Sequence, residues 1–393
     1  MNDSKGKTMS LYFDDEHNAF RQMVRRFVET EINPHVEEWE AAGIFPAHDL
    51  FKKMGNLGLL GLTYPEKYGG GGVDYWYEVV LLEELGRADC AGVPMGISVH
   101  TDMATPALAK FGSEELKQRF LVPAIAGDFV SSIAVSEPGA GSDVARISTT
   151  ARSDGDDYVI NGSKMWITNG TQADFLTLLA RTSGGEGYRG MSLIIVPTDT
   201  PGFAVSRKLE KLGNYSSDTA ILSFDDMRVP KANRIGEEGK GFYLQMQQFQ
   251  VERLAGVIMS ISGMERAINM TIDYCRQRHV FGQPLLHNQW IYFKLSELMT
   301  EVEALRQLAY HCVRGYVAGQ DMVKEISMAK LKAGRLGRET ADTCLQFHGG
   351  MGYVEEYPIA RYFRDVRLLS IGAGADEVML EVIAKVAGIS PKS

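Results

Sequence analysis

The spacing of apolar residues changes twice along this chain of 393 residues, and no other feature limits the possible fold as strongly. Near the N-terminus, Phe20, Met23, Val24, Phe27 and Val28 recur at helical spacing, and Asp14 is a candidate N-cap. Similar patterns follow at 47–55, 75–85 and 102–111, interrupted by four glycines at 69–72. We therefore expect five or six helices in residues 1–125.

Short strand-like runs replace the helical pattern between residues 126 and 233. Residues 158–160 lead into Asn161-Gly162, which is typical of a two-residue hairpin turn, and 164–168 would form the returning strand. Further apolar runs lie at 175–180, 192–196 and 219–224. This segment is predicted to be a β domain.

Helical spacing returns after Gly241 and continues almost to the C-terminus. Apolar residues at 291, 295, 298, 302 and 305 alternate spacings of three and four, as in a helix packed in a bundle. Gly282 and Pro284 separate this helix from the preceding one, and 326–346 and 377–386 add two more. The expected α+β fold has an N-terminal helical domain (1–125), a central β-barrel-like domain (126–233) and a C-terminal four-helix bundle (234–393).

Composition excludes several classes of protein. The net charge is −9 and the pI is about 5.5, so nothing favours nucleic-acid binding. The four cysteines are widely spaced and predict neither a metal site nor a disulfide framework. The first ten residues do not resemble a secretion signal, and no apolar run approaches the roughly 18 residues of a membrane span. We expect a cytoplasmic protein without a membrane anchor.

Four short segments carry most of the functional information. They are Ala134-Val135-Ser136-Glu137-Pro138-Gly139-Ala140-Gly141-Ser142-Asp143, Met165-Trp166-Ile167-Thr168-Asn169-Gly170, Arg276-Gln277-Arg278-His279-Val280-Phe281-Gly282 and Gln346-Phe347-His348-Gly349-Gly350-Met351-Gly352. Taken singly, each also fits an ordinary turn, a core aromatic or a solvated helix end. At their combined spacing, the four segments give the chain a resemblance to the acyl-CoA dehydrogenase family along almost its whole length.

That resemblance implies a bound FAD. The residues that match the family's cofactor contacts are Ile133, Ala134, Val135, Ser136, Gly141, Ser142, Trp166, Ile167, Thr168, Arg278, Phe281, Gln289, Gln346, Phe347, His348, Gly349, Gly350, Ala375, Asp376 and Glu377. Ala375 lacks the hydroxyl that the family usually has there. Because FAD lies between subunits in this family, the resemblance also implies an oligomer, most often a tetramer formed by two dimers.

Glu252 is the candidate base. Removing two hydrogens from the α and β carbons of a thioester needs a protein group that takes the α proton, while the flavin takes the β hydride. Glu252 lies among apolar and small residues, and burial there would raise its pKa toward the working pH. Relatives acting on isovaleryl-CoA and long-chain acyl-CoA place the base on this helix, whereas others place it at the position of Ala373. The backbone N–H of Ala373 would still bind the thioester carbonyl.

The resemblance points to further substrate contacts. These are Ser142, Ser206, Arg207, Tyr243, Gln250, Arg253, Ala373 and Gly374, with Gly96 and Ser98 at the pocket floor. The small floor residues favour a medium or long acyl chain, although a branched or isoprenoid chain also fits. The implied electron acceptor is electron-transferring flavoprotein.

Other functions share parts of this pattern. An acyl-CoA oxidase or a hydroxylase of the same fold would share many of these motifs, and a scaffold that binds flavin or CoA without catalysis would explain Ala373. A nicotinamide site at Gly372-Ala373-Gly374 is rejected, because no predicted strand precedes it and the G-x-G-x-x-G pattern is incomplete.

Overall fold

The structure is a computed structural model that describes residues 12–185 and 187–391. The first ten residues, for which the sequence predicts no secretion signal, lie outside these ranges. Within the described ranges, we find no helix with both the length and the apolar composition of a membrane span.

The N-terminal part of the chain is helical, as predicted, but its described residues form eight α-helices rather than the five or six expected. Its α-helices are α1 (Asp15–Phe27), α2 (Val36–Ala42), α3 (Ala47–Asn56), α4 (Tyr75–Leu85), α5 (Gly92–Ser98), α6 (Pro106–Phe111), α7 (Glu114–Leu116) and α8 (Val122–Ile125). Asp14 caps α1, since its carboxylate accepts a hydrogen bond of 3.0 Å from the His17 N–H. The helix expected at 102–111 is divided: a π-helical segment, Val99–Ala104, precedes α6, which begins at Pro106, a residue without an N–H to donate.

The central part is an eight-stranded sheet. Its strands are β1 (Ser131–Ala134), β2 (Thr150–Asp154), β3 (Asp157–Thr168), β4 (Phe175–Arg181), β5 (Met191–Pro197), β6 (Phe203–Lys208), β7 (Thr219–Pro230) and β8 (Arg234–Ile235). The pairing order is β6-β7-β3-β2-β4-β5-β8, and β1 pairs in parallel with β4. The C-terminal ends of β1 and β3 bring together the first two of the four sequence segments.

The predicted hairpin turn at Asn161-Gly162 is wrong. Both residues lie inside β3, where the pairing with β7 shifts register between Ile160 and Gly162. The tight turn is Gly155-Asp156, between β2 and β3. Asn161 instead bonds to β7, because its amide nitrogen donates to the Asp226 carboxylate at 3.0 Å and its amide oxygen accepts from the Asp226 N–H at 2.9 Å. The Asn-Gly pair therefore forms a bulge.

The C-terminal part contains the predicted helical bundle. Its helices are α9 (Gly241–Gln277), α10 (Gln289–Val317), α11 (Val323–His348), α12 (Pro358–Val366) and α13 (Asp376–Val386). Two short strands, β9 (His279–Val280) and β10 (Gln283–Pro284), lie between α9 and α10. Helix α4 adds Tyr75, Val79 and Leu82 to the bundle core. From Leu254 onward, α9 thus packs between N-terminal and C-terminal helices.

Asp365 of α12 joins the three parts of the chain. Its carboxylate accepts hydrogen bonds from the N–H of Asn214, in the β6–β7 connection, at 2.6 Å and from the N–H of Ala91 at 3.0 Å. Ala91 immediately precedes α5, so one side chain connects helical and sheet elements that are far apart in sequence. These bonds fix the bundle relative to the other elements of the site.

Candidate active site

Glu252 is a buried carboxylate near the start of α9. Its side chain is only 7 % exposed, and Oε2 has no hydrogen-bond partner among the described residues. Burial raises the pKa of Glu252 to about 7, although the charges of Arg253 and Lys330 act to lower it. Glu252 can therefore exist in either protonation state near neutral pH, as a general base requires.

The loop at Ala373 lies beside this carboxylate. Arg253, the next residue after Glu252, donates from Nε to the Ala373 carbonyl at 3.3 Å. Ala373 has a φ of +53°, a left-handed conformation that costs a non-glycine residue on the order of 1–2 kcal/mol. Among the described residues, none accepts a hydrogen bond from the Ala373 N–H. The strained loop therefore leaves a backbone donor free near the candidate base.

Lys330 holds this loop, a role that the sequence did not predict. From α11, its ammonium donates to the carbonyls of Leu369 at 2.5 Å, Gly372 at 3.1 Å and Gly374 at 3.1 Å. Lys330 is 1 % exposed, and burial lowers its pKa to about 8. The available signal was its place in the helix: Ile326 and Ala333, one turn away on either side, are also buried.

The first two motif segments meet at the end of the sheet. Ile133 and Ala134 end β1, and the Ser136 carbonyl accepts a hydrogen bond of 2.9 Å from the Met165 N–H in β3. The neighbouring residues, Lys164 and Glu137, form a buried ion pair at 2.9 Å. The segments that hold Val135, Gly141 and Ser142 and those that hold Ile167 and Thr168 are therefore adjacent.

Trp166 presents an open aromatic face at this position. The side chain is 53 % exposed, and its φ of +62° is unusual for a bulky residue. A Cβ added at Gly141 would lie 3.5 Å from the indole, and one added at Gly139 would meet no atom within 4 Å. An exposed indole beside an open glycine loop fits the flat ring system of a flavin.

The other two motif segments form a second group at one end of the bundle. The Tyr274 hydroxyl, in the last turns of α9, donates to the His348 carbonyl at 3.1 Å. Arg278, Phe281 and Gln289 lie in or beside the α9–α10 connection, and Gln346, Gly349 and Gly350 lie at the end of α11; all six are exposed. A cation, an open aromatic ring and glycines without neighbours fit the phosphates and adenosine of FAD.

Two residues of this second group point inward. The His348 side chain is buried, stacks on Tyr274 with 4.4 Å between ring centroids, and lies 2.8 Å from the Cys344 carbonyl. Phe347 packs against the bundle core. Any cofactor contact made by His348 has to come from its backbone.

The remaining cofactor candidates lie at the start of α13. Ala375 is its N-cap residue, and Glu377 is exposed. Asp376 is buried and forms an ion pair of 3.1 Å with Arg338 of α11. The Asp376 carboxylate therefore serves first to hold α13 and the Ala373-Gly374 loop against α11.

The substrate candidates fall into an exposed set and a buried set. Ser142, Ser206, Arg207 and Tyr243 are exposed, and Gln250 is partly buried. Gly96 and Ser98 are buried in α5: a Cβ at Gly96 would lie 2.6 Å from the Phe45 ring, and the Ser98 hydroxyl donates to Asp102 at 2.8 Å. A larger residue at position 96 would therefore clash with Phe45. Ser98 places a polar hydroxyl in the same helix.

The chain matches known proteins along nearly all of its length. The profiles of the N-terminal, middle and C-terminal domains of acyl-CoA dehydrogenase match residues 14–128, 132–227 and 239–388. The long-chain specific mitochondrial acyl-CoA dehydrogenase of Sus scrofa is 39% identical over 375 residues, which cover 95% of this chain and 86% of that protein.

Two further comparisons agree. The mitochondrial isovaleryl-CoA dehydrogenase of Oryza sativa subsp. japonica is 37% identical over 377 residues, covering 96% of this chain and 92% of that protein. The crystal structure of an acyl-CoA dehydrogenase from Geobacillus kaustophilus superposes with a TM-score of 0.93 at 42% identity, covering 96% and 99% of the two chains.

Fold and site together define a flavoprotein oxidoreductase that acts on CH–CH bonds. The chain belongs to the acyl-CoA dehydrogenase family, whose members depend on FAD. The relatives named above differ in their substrates, so they do not determine the length or branching of the acyl chain.

Proposed function

We propose that Glu252 removes the α proton of an acyl-CoA thioester during its conversion to the trans-2-enoyl-CoA. The burial of Glu252, with its pKa raised to about 7, is the observation that carries this assignment. Other members of the family carry the base at the position of Ala373, and alanine has no carboxylate there.

The chain's own residues divide the chemical work. Bound FAD supplies an acceptor for the β hydride. The free N–H of Ala373 binds the thioester carbonyl, which stabilises the charge that develops as the α proton leaves. Arg253 and Lys330 hold the loop that carries this N–H, and their charges keep part of Glu252 ionised at neutral pH.

We divide the main cofactor roles between the two groups of motif residues. We assign Trp166 and the Ser136 and Thr168 segments to the flavin ring, and Arg278, Gln289 and Gln346 to the phosphate and adenosine parts. Exposure of Trp166, Phe281 and Arg278 supports this assignment, since each presents a surface that FAD can cover.

The CoA part is assigned to the exposed substrate set, including Ser142, Arg207 and Tyr243, with Arg253 at the entrance to the buried site. The acyl chain is proposed to be medium or long. Ala255 and Gly256 support this, because they follow Glu252 by one helical turn and occupy little volume. A branched or isoprenoid chain remains the alternative substrate.

The proposed assembly is a homotetramer that passes electrons to electron-transferring flavoprotein in the cytoplasm. Phe281 is 105 % exposed, and Trp290 and Phe293 are also exposed on or near the start of α10. Large apolar side chains gathered in this way favour contact with another subunit.

A single substitution tests the base. Glu252→Gln keeps the size of the side chain but cannot accept the α proton, so the purified holoenzyme should bind acyl-CoA and lose at least about 10²-fold in the rate of flavin bleaching. Glu237→Gln, which changes an exposed carboxylate before α9, is the matched control. Near-normal bleaching by Glu252→Gln would show that another group takes the proton.

A further inference from the structure

A line of buried polar groups leads away from Glu252 into the protein. Helix α4 runs in the same direction as α9: a Cβ at Gly86 would lie 2.3 Å from the Met259 carbonyl oxygen, and Asp89 pairs with Arg266 at 3.1 Å. Eight residues back along α4 from Gly86 is Glu78, and an equal step along α9 reaches the turn that holds Glu252. Glu78 therefore lies at about the same level along the two helices as the candidate base.

Asp102 connects these two carboxyl groups. It lies in the π-helical segment after α5, and its Oδ2 accepts hydrogen bonds from Ser98 at 2.8 Å and Thr101 at 2.9 Å. The π-helical segment that carries Asp102 packs against α9. Burial raises the pKa of both Glu252 and Glu78, and the charge of Asp102 acts on both carboxyl groups in the same direction. No hydrogen bond to its Oδ1 comes from the described part of the chain.

The inner end of the line has polar atoms without partners. Glu78 is 7 % exposed and Tyr75 is 8 % exposed, and neither Glu78 Oε1 nor the Tyr75 hydroxyl has a hydrogen-bond partner among the described residues. Tyr75 packs edge-on against Tyr316, with 5.0 Å between ring centroids. Leaving a buried polar atom unpaired is unfavourable, so this region favours a ligand that can hydrogen-bond.

The same face of α9 adds two amides. Gln245 and Gln248 precede Glu252 by seven and four residues, which keeps all three on one stripe of the helix. Both glutamines are buried, and all four of their amide atoms lack a partner within the described residues. An unsubstituted hydrocarbon chain cannot form hydrogen bonds with these amides.

We propose that the acyl chain of the substrate carries a hydroxyl group beyond its β carbon, and that Glu78 and Asp102 bind this hydroxyl. The inference rests on the proposed dehydrogenation and specifies its substrate class. A hydroxyl both donates and accepts hydrogen bonds, so it can pair with the oxygen atoms of Asp102 and Glu78 that lack partners among the described residues. A hydrocarbon end leaves them unpaired, and a terminal carboxylate is repelled by Asp102.

The test compares matched acyl chains. Hexanoyl-, octanoyl-, decanoyl- and dodecanoyl-CoA, each with and without a terminal hydroxyl, are supplied to the wild-type holoenzyme, and flavin bleaching gives kcat/KM. At the chain length that reaches Glu78, the hydroxylated substrate should be favoured by about tenfold or more, since a site that binds a hydroxyl discriminates against analogues lacking it. Terminal dicarboxylic analogues should be poor substrates at every length.

Binding is measured separately from turnover. In the Glu252→Gln holoenzyme, each substrate is titrated and its Kd is read from the change in flavin absorbance; the hydroxylated chain should bind about tenfold more tightly. Adding Glu78→Leu should abolish or reverse that preference, whereas adding Glu237→Gln should leave it unchanged. The wild-type comparison decides the question alone if the Glu78 variant does not fold.

The outcomes separate the two proposals. If unsubstituted and hydroxylated chains give equal kcat/KM at every length, the proposed hydroxyl site is wrong, whereas the proposed dehydrogenation stands. If no chain of either kind bleaches the flavin, the proposed reaction fails, and the hydroxyl site fails with it.

Discussion

At Lys330, one ammonium group acts on two parts of the site. It binds three carbonyls of the loop around Ala373, and its charge lowers the pKa of Glu252. Because Glu252 must be ionised to accept a proton and its pKa is about 7, kcat/KM should rise with pH through about 7 and then level off.

Lys330→Met should change both functions. The loop loses three hydrogen bonds, and kcat should fall roughly 10- to 100-fold, since a shift of about 1 Å in a reacting group has an effect of that size. Without the ammonium charge, the inflection in the pH profile should move to higher pH. Lys332→Met, two residues along the same helix, removes a lysine that pairs with Glu301 and is the control. An unmoved inflection would show that Lys330 has only a structural part in the site.

The residues of the site differed in how far the sequence could predict them. The helix around Glu252 and its small neighbours were readable from local spacing, and the structure buries the carboxylate as that spacing suggested. Lys330 could not be read in the same way, because its partners lie some 40 residues away on a loop whose position depends on packing. The inward turn of His348 likewise depends on a tertiary contact with Tyr274.

At the scale of elements, the strand β3 shows where local patterns mislead. Asn-Gly alone favours a hairpin turn, but the pairing of β3 with two neighbouring strands places it in a bulge. The helices α4 and α9, by contrast, were predicted because their apolar residues recur over several turns. Long periodic elements thus carry more information than a two-residue motif.

Two glycine substitutions distinguish the bulge from the turn. Gly162→Ala should lower the free energy of unfolding by about 2 kcal/mol or more, because the new Cβ would lie 2.6 Å from Thr149 Oγ1 and 2.8 Å from its Cα. Gly155→Ala should cost only about 1 kcal/mol, since its φ is +59° but no atom lies within 4 Å. Thermal unfolding of the two holoenzymes measures the difference. Equal losses, or a larger loss at Gly155, would contradict the close packing at the bulge.

At the scale of the whole molecule, the order of helices, sheet and bundle was predictable from the change in apolar spacing. What the spacing could not supply was the arrangement of the parts, which depends on contacts such as those of Asp365 with Asn214 and Ala91. The candidate cofactor residues show the same limit. Their motifs were visible in the sequence, yet the structure gathers most of them in two groups, one near Trp166 and one near Arg278, and places Ala375, Asp376 and Glu377 apart at the start of α13.

Those two groups predict a site shared between subunits. A chain with Glu252→Gln and a chain with Arg278→Glu should each be inactive when expressed alone, the first for lack of a base and the second because the new charge repels the FAD phosphates. In a mixed dimer with a twofold axis, one site would carry both defects and the other neither, so co-expression should restore about a quarter of wild-type activity. The control pairs the Glu252→Gln chain with a chain carrying both substitutions, where no site has a base and activity should stay absent. Equal inactivity in the mixed and control samples would place all the flavin contacts within one chain.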